Sequence, residues 1–319
     1  MPSEPLEPEP PNGVPFALVD VFGAGPLTGN PLAVVDVTST KNQDPPIEWL
    51  RAVAREFNQA ETTFVLTPTH RRAHWRLRSL TAGGVEVFGA GHNALGAWWW
   101  LLHAGYVHPP PDGVLIQEIG SRLLQVHVTD HRIAMRQANA TFGQPVDVSD
   151  VATAVGLDPT GFDRTVTPRV VDTGANHLIA AVTDTRTLRD ARPNKDVLIR
   201  LTSAVAAQGL YLVVIGGQRP VTTATTRFFN PGAGLDEDPA TGSAAGPLAA
   251  YLRHLQLLDP SGGLEVHQGA SLQRPSTMHV TASPDGSAPT VAGSAILSAH
   301  GLLASTPRRW SEGSSANTG

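Results

Sequence analysis

Asp236-Glu237-Asp238-Pro239-Ala240-Thr241-Gly242-Ser243-Ala244 places three carboxylates and a glycine directly before an apolar stretch that runs to about Leu258. An apolar run of that length opened by Thr, Gly and Ser reads as a helix with its N-terminus at the glycine. A helix N-terminus carries unpaired N–H groups and about half a positive charge. Glycine lets a ligand approach that backbone, so such a turn can hold a carboxylate or phosphate without a basic side chain. Simple capping by acidic residues is the bland alternative, worth roughly 0.3–1 kcal/mol each when exposed. The chain contains a second turn of this kind, Gly91-His92-Asn93-Ala94, which opens the apolar run from His92 to about His103.

Working outward, each of these helices ends the same succession of elements. In the first half, Phe16–Phe22 and Pro31–Val37 read as strands around the turn Gly23–Asn30. A helix over Ile47–Phe57 follows, introduced by Pro45-Pro46, and then strands over Glu61–Leu66 and His74–Leu80. In the second half, strands over Val166–Asp172 and Leu178–Val182, a helix over Val197–Ala207 and strands over Tyr211–Ile215 and Val221–Phe228 precede the second glycine turn. Strands over 114–119, 123–128 and 132–136 join the halves, and three more around 264–268, 277–282 and 290–298 close the chain. The pattern is α+β with two similar lobes. The predicted limits are a disordered tail at 1–13, an N-terminal lobe at 14–130 completed by a strand from about 290–304, a C-terminal lobe at 131–289 and a second disordered tail at 306–319.

Composition removes whole classes of chemistry. No cysteine occurs among the 319 residues, which excludes disulfides, thiolate metal sites and a cysteine nucleophile. The twelve histidines include no HExxH motif, so no metal site is expected. Two lysines, Lys41 and Lys195, lie in no motif, which argues against pyridoxal phosphate. There is no GxGxxG after the first strand and no GxxxxGK[ST]. The predicted cofactor is therefore none. A net charge of −5 without a basic cluster argues against nucleic acid as a partner. The most apolar run, Ala94–Leu102, is about half of a bilayer span, and Met1–Gly13 is acidic and Pro-rich, unlike a signal peptide. The expectation is a cytoplasmic protein that acts on a small carboxylate, with no membrane partner.

Six blocks, in order, carry a resemblance. They are Gly29-Asn30-Pro31-Leu32-Ala33-Val34-Val35; Asn58-Gln59-Ala60-Glu61-Thr62-Thr63-Phe64; Glu86-Val87 followed by Gly91-His92; Arg227-Phe228-Phe229-Asn230-Pro231; Glu237-Asp238-Pro239-Ala240-Thr241-Gly242-Ser243-Ala244; and Gln268-Gly269 with Arg274-Pro275-Ser276. Together they resemble the PhzF (phenazine biosynthesis) family over roughly residues 16–302. The resemblance implies a diaminopimelate-epimerase-like fold, in which two similar lobes related by a pseudo-twofold each wrap a sheet around a central helix, with the active site between them. It also implies a homodimer, and an isomerase working in secondary metabolism, including antibiotic biosynthesis. Glu61 would be the general acid/base, with His92, Asp238 and Ser243 contacting and polarising the substrate. The backbone around Gly91–Asn93 and Gly242–Ala244 would hold its carboxylate.

The chemistry read from the residues is compatible with that assignment. Moving a proton between carbons beside a carboxylate requires a base that can return the proton. A carboxylic acid does this best when burial brings its pKa towards the operating pH, and Glu61 lies among Phe57, Thr62, Thr63, Phe64 and Val65. The alternatives left open are an epimerase or racemase, which needs a second base such as His92 or Asp238, and a binding protein without turnover. Ala60 stands where the family pattern has serine, and Asn93-Ala94 where it has Ala-Thr or Pro-Thr. Asn176-His177, after Asp172-Thr173-Gly174, is a further candidate for lining the cleft.

Overall fold

The apolar runs after Gly91 and Thr241 become helices so completely buried that strands must surround them. The computed structural model describes residues 13–40, 44–89, 91–129, 132–216, 219–282 and 288–307. The expected tails at 1–13 and 306–319 lie outside these residues but for Gly13, Thr306 and Pro307.

In chain order the elements begin with β1 (Val14–Val21), β2 (Asn30–Asp36), α1 (Ile47–Phe57), β3 (Glu61–Leu66), β4 (Trp75–Leu80), β5 (Glu86–Val87) and α2 (His92–His103). Next come β6 (Val114–Ile119), β7 (Arg122–Thr129), β8 (Arg132–Arg136), β9 (Thr141–Pro145), α3 (Val148–Val155), β10 (Arg169–Asp172) and β11 (Asn176–Ala181). Then follow α4 (Thr185–Asp190), α5 (Lys195–Ala204), β12 (Gly209–Ile215), β13 (Thr223–Asn230), β14 (Leu235–Asp238) and α6 (Gly242–His254). The chain closes with β15 (Gly263–Gln268), β16 (Ser276–Thr281), β17 (Thr290–Gly293) and β18 (Ala295–Leu303). It divides into two compact units: residues up to 19, 31–125 and from 297 form unit 1, and residues 20–30 and 126–296 form unit 2.

In unit 1, β2 and β3 run parallel, β4 pairs antiparallel with β3, and β6 runs parallel to β4. Strand side chains alternate between faces, and both faces of β3 are covered. Phe64 and Leu66 pack with Trp49, Leu50, Val53 and Ala54 of α1. The opposite face, carrying Thr63 and Val65, is the face of α2, which packs on β3. Of the three consecutive tryptophans, Trp98 is fully buried and donates to Gln117 on β6 at 2.8 Å. Trp100 is buried against Tyr106, and Trp99 stacks on His103.

Unit 2 repeats the order. β11 and β12 run parallel, β13 is antiparallel to β12, and the short β14 pairs with β13 ahead of α6. Pairing continues through β13–β15, β15–β16, β16–β17 and β17–β8, with β10 and β9 on the far side of β11. α6 packs on β10 and β11 towards one end of this series and on β16 and β17 towards the other. The strands therefore wrap around it. α3, α4 and α5 cover the outer face through Val151, Val155, Leu188 and Leu198, against Leu178, Leu210 and Leu212.

Element boundaries follow local chemistry where the sequence signals it. α2 spans the residues expected of it. α5 starts two residues earlier than expected, at Lys195, because the Asn194 side chain accepts the Val197 N–H at 3.2 Å. α6 ends at His254 rather than Leu258, and the chain turns at Gln256, whose φ is +58°. α3 was not expected, although Asp147 caps it and Gly156 ends it in the left-handed conformation.

The loop before β2 turns on Gly29, whose φ is +69° and whose position is crowded by backbone: an added Cβ would lie 2.5 Å from Val21 O and 2.6 Å from Gly23 N. Gly29→Ala is expected to destabilise by more than about 1 kcal/mol, measured by denaturant unfolding. An unchanged midpoint would show that the loop relaxes without strain.

Candidate functional site

Glu61 opens β3, two residues before Thr63 and on the same face, so its Cα lies about 7 Å from that of Thr63 on the side of α2. Thr63 is fully buried and shares a 2.8 Å hydrogen bond with Ser79 of β4. Asn93 in the first turn of α2 donates from Nδ2 to Ser79 Oγ at 3.1 Å and to Gly89 O at 3.0 Å. Its Oδ1 accepts the Gly91 N–H at 2.7 Å. These bonds fix the start of α2 to the strand that carries Glu61. Gly91 adopts φ −137° and ψ −131°, outside the broad regions open to other residues. Leu95 is the first residue to donate within the helix, to Gly91 O at 3.1 Å. The N–H groups of His92, Asn93 and Ala94 have no acceptor among the described residues. The His92 Nε2 atom is sealed from solvent with no partner among the described residues, and burial pushes the imidazole down to about 4, so it is neutral.

The corresponding region of unit 2 is built around Asp238 at the end of β14. Asn30 Nδ2 donates to Asp238 Oδ1 at 2.9 Å and to Ala240 O at 2.9 Å, and the Thr241 hydroxyl donates to Asp238 Oδ2. Gln268 Nε2 donates to Asp238 O at 2.7 Å and to Thr241 Oγ1 at 3.0 Å. The loop ending in Asn30 is held by Arg274, which bonds Asp20 at 2.6 Å, Thr28 O at 2.9 Å and Gly29 O at 2.8 Å. Burial pushes the Asp238 carboxyl up to about 7, outweighing the hydrogen bonds from Thr241 and Asn30 that favour its charged form. Ser243, in the first turn of α6, shares a 3.1 Å hydrogen bond with Nε2 of His177. Ala244 and Ala245 both donate to Thr241 O, leaving the N–H groups of Gly242 and Ser243 with no acceptor among the described residues.

A common device positions both turns. Arg78 on β4 donates from Nε and Nη2 to the two oxygens of Glu86 on β5, at 2.8 Å each. Arg227 on β13 does the same to Glu237 on β14, at 2.9 and 2.7 Å. Hydrogen bonds to charged groups contribute about 1.5–3 kcal/mol when shielded, far more than an exposed pair such as Arg186–Asp190. Six residues after each glutamate stands a polar side chain of the helix start, His92 or Ser243, preceded by Gly91 or Gly242. Among the described residues, no group of three His, Asp or Glu side chains is placed to hold a metal, and no helix is long and apolar enough to cross a membrane.

The model for phenazine biosynthesis-like proteins (PhzC-PhzF) matches residues 19–301. The chain belongs to that family. It is 29% identical over 298 residues to the trans-2,3-dihydro-3-hydroxyanthranilate isomerase of Pseudomonas aeruginosa, covering 90% of this chain and 98% of that one. Among solved structures, a predicted epimerase from Pseudomonas aeruginosa superposes with a TM-score of 0.74 at 32% identity, covering 92% of this chain and all of the other. A PhzF-family protein of Bacillus anthracis gives 0.78 at 24% identity, covering 91% and 98%. The fold is the α+β, epimerase-like fold expected from sequence, and the chain is a PhzF-family isomerase.

The family blocks now separate by physical task. Glu61, His92, Asp238 and Ser243 each stand at or beside a helix start or on a strand face that leads to one. Gly91, Gly242 and Ala244 shape the two turns. Asn93 has its side chain engaged within unit 1, so what it can offer a ligand is its backbone N–H. Local sequence gives no role to Asn30, Gln268 or Arg274, and all three belong to the framework around Asp238. His177, a candidate for lining the cleft, sits against Ser243. The signal for the first three was their presence in the PhzF-like blocks.

The buried carboxyl has a thermodynamic signature. Asp238 holds its proton more tightly folded than unfolded, since about 7 lies above 3.8. Its contribution is full below about pH 4 and is lost as pH rises through 7. Asp238→Asn should therefore gain in Tm relative to the native protein between pH 5 and pH 8, by calorimetry. A constant difference across that range would show that the carboxyl titrates normally.

Proposed function

We propose that this isomerase moves a proton, and a double bond with it, on a small unsaturated or cyclic amino or carboxylic acid, using Glu61 and no cofactor. Glu61 takes the proton from one carbon and returns it to another. The N–H groups at the helix starts, without acceptors among the described residues, bind the substrate carboxylate. Neutral His92, Asp238 and Ser243 contact and polarise the part of the molecule that takes up charge as the proton leaves. The trans-2,3-dihydro-3-hydroxyanthranilate isomerase acts on an acid of this class. Ala60 and Asn93 depart from the family pattern beside the base and at the α2 turn, and they favour a related acid as the substrate here. Double-bond migration in a proline-derived imino acid is one such step. We place the enzyme in secondary metabolism, as a cytoplasmic homodimer.

The observation that carries this reading is an asymmetry in the repeat. Glu61 puts a carboxylate on the helix-facing side of β3. The strand in the same topological place, β12, packs Leu210 and Leu212 outward, so its helix-facing side carries Gly209, Tyr211 and Val213. One strand-borne base suits a proton that leaves and returns on one face. A two-base epimerase mechanism has no matching residue there.

Glu61→Gln, nearly isosteric, should keep the fold and much of the substrate affinity while turnover falls by roughly 10²–10⁴-fold, assayed first on trans-2,3-dihydro-3-hydroxyanthranilate and proline-derived imino acids. Near-native turnover in that variant would transfer the acid/base role to His92 or Asp238. Activity is also expected to persist after exhaustive chelation and without added nucleotide, flavin or pyridoxal phosphate. Loss with a chelator and recovery with a metal ion would refute the metal-free mechanism.

A further inference from the structure

His177 is buried, on the helix-facing side of β11, and neither ring nitrogen meets a charged group among the described residues. Nε2 lies 3.1 Å from Ser243 Oγ, Phe228 closes one side edge-on with ring centroids 5.1 Å apart, and Nδ1 has no partner among the described residues. Burial pushes the imidazole down to about 4, so the ring is neutral and carries one hydrogen. Two arrangements exist. With the hydrogen on Nδ1, a buried donor goes unsatisfied and Ser243 must donate to Nε2, turning its lone pairs towards any ligand. With the hydrogen on Nε2, the ring donates to Ser243 Oγ and the serine hydrogen is released. Buried orphan N–H groups are rarer than under-satisfied acceptors, which favours the second arrangement. The neighbours of Ser243 favour it too. The free N–H groups of Gly242 and Ser243 are donors, and a lone pair beside them would repel the anion they attract.

We propose that His177 sets the direction of the Ser243 hydroxyl, donating from Nε2–H so that the serine presents a hydrogen-bond donor to the substrate carboxylate. The proposal rests on the isomerase reading for what is bound, but not for the direction of the bond. His177 is a positioning residue: it touches Ser243, not the reacting atoms. The result is a site that prefers an ionised carboxylate over its amide, because every group in this turn of α6 is a donor.

The tautomer can be read directly from the full chain by ¹⁵N-resolved imidazole spectra at pH 7, with the His177 signals assigned by their loss in His177→Gln. The expected pattern is a protonated Nε2 and a bare Nδ1. A protonated Nδ1 or an imidazolium would overturn the proposal, whatever happens to Glu61→Gln. Calorimetry with 3-hydroxyanthranilate and its carboxamide as probes supplies the second readout. His177→Leu should weaken the acid about tenfold and leave the amide unchanged. His177→Gln, whose amide nitrogen can reach the position of Nε2, should retain acid binding. Where the Leu variant does not fold, His177→Asn, too short to reach Ser243, takes its place. Equal weakening of acid and amide, or no difference between the Gln variant and the Leu or Asn variant, would overturn the proposal. If the tautomer and the acid preference hold while Glu61→Gln keeps turnover, the isomerase mechanism fails and the hydroxyl assignment stands.

Discussion

A helix that is apolar on every side has to be covered on every side. α6 buries Ala244, Ala245, Gly246, Pro247, Leu248, Ala249, Tyr251 and Leu252, which together cover all sides of it, and α2 buries Ala94, Leu95, Ala97, Trp98, Trp100 and Leu101. Strands can enclose such a rod only by wrapping it, and the strands then need helices on their outer face for their other row of side chains. The axial end of the rod is the place left where backbone polarity can meet a ligand. The family's polar residues gather at that end because the remainder of each helix admits little else.

Holding that end still is the work of charged and hydrogen-bonded groups set just outside it. The paired Arg78–Glu86 and Arg227–Glu237 contacts pin the short strands that feed the helices. Asn93 ties one turn to Ser79, and Gln268 with Asn30 ties the other to Asp238. At Asp238 the competing effects can be ranked. Two side-chain hydrogen bonds stabilise the anion, yet desolvation outweighs them and the group titrates near neutrality. At His92 and His177 burial meets no opposing charge, and both rings stay neutral.

Reading by local rules reached far into this fold but not evenly. α2 was legible end to end because a glycine turn meets an uninterrupted apolar run. α3 was missed although Asp147 and Gly156 bracket it, since eight residues of Val, Ala, Ser, Thr and Asp carry little helical periodicity. The overshoot of α6 has a similar origin, because Leu255, Leu257 and Leu258 continue its apolar pattern past the point where the backbone turns. In the candidate site, the helix starts at His92 and Gly242 and the strand opened by Glu61 were legible from motif and local pattern together. The hold of Asn30 on Asp238 was not, because the partners are 208 positions apart and no spacing rule connects them. The His177–Ser243 contact spans 66 positions and depends on which face of β11 is turned inward.

The matched spacing from Glu86 to His92 and from Glu237 to Ser243 bears on how such proteins diversify. The arginine–glutamate anchor, the glycine and the apolar helix are common to both units, whereas the side chain six places after the glutamate is imidazole in one and hydroxyl in the other. Duplication of an ancestral unit would leave two such cassettes, each able to present a different side chain at that position.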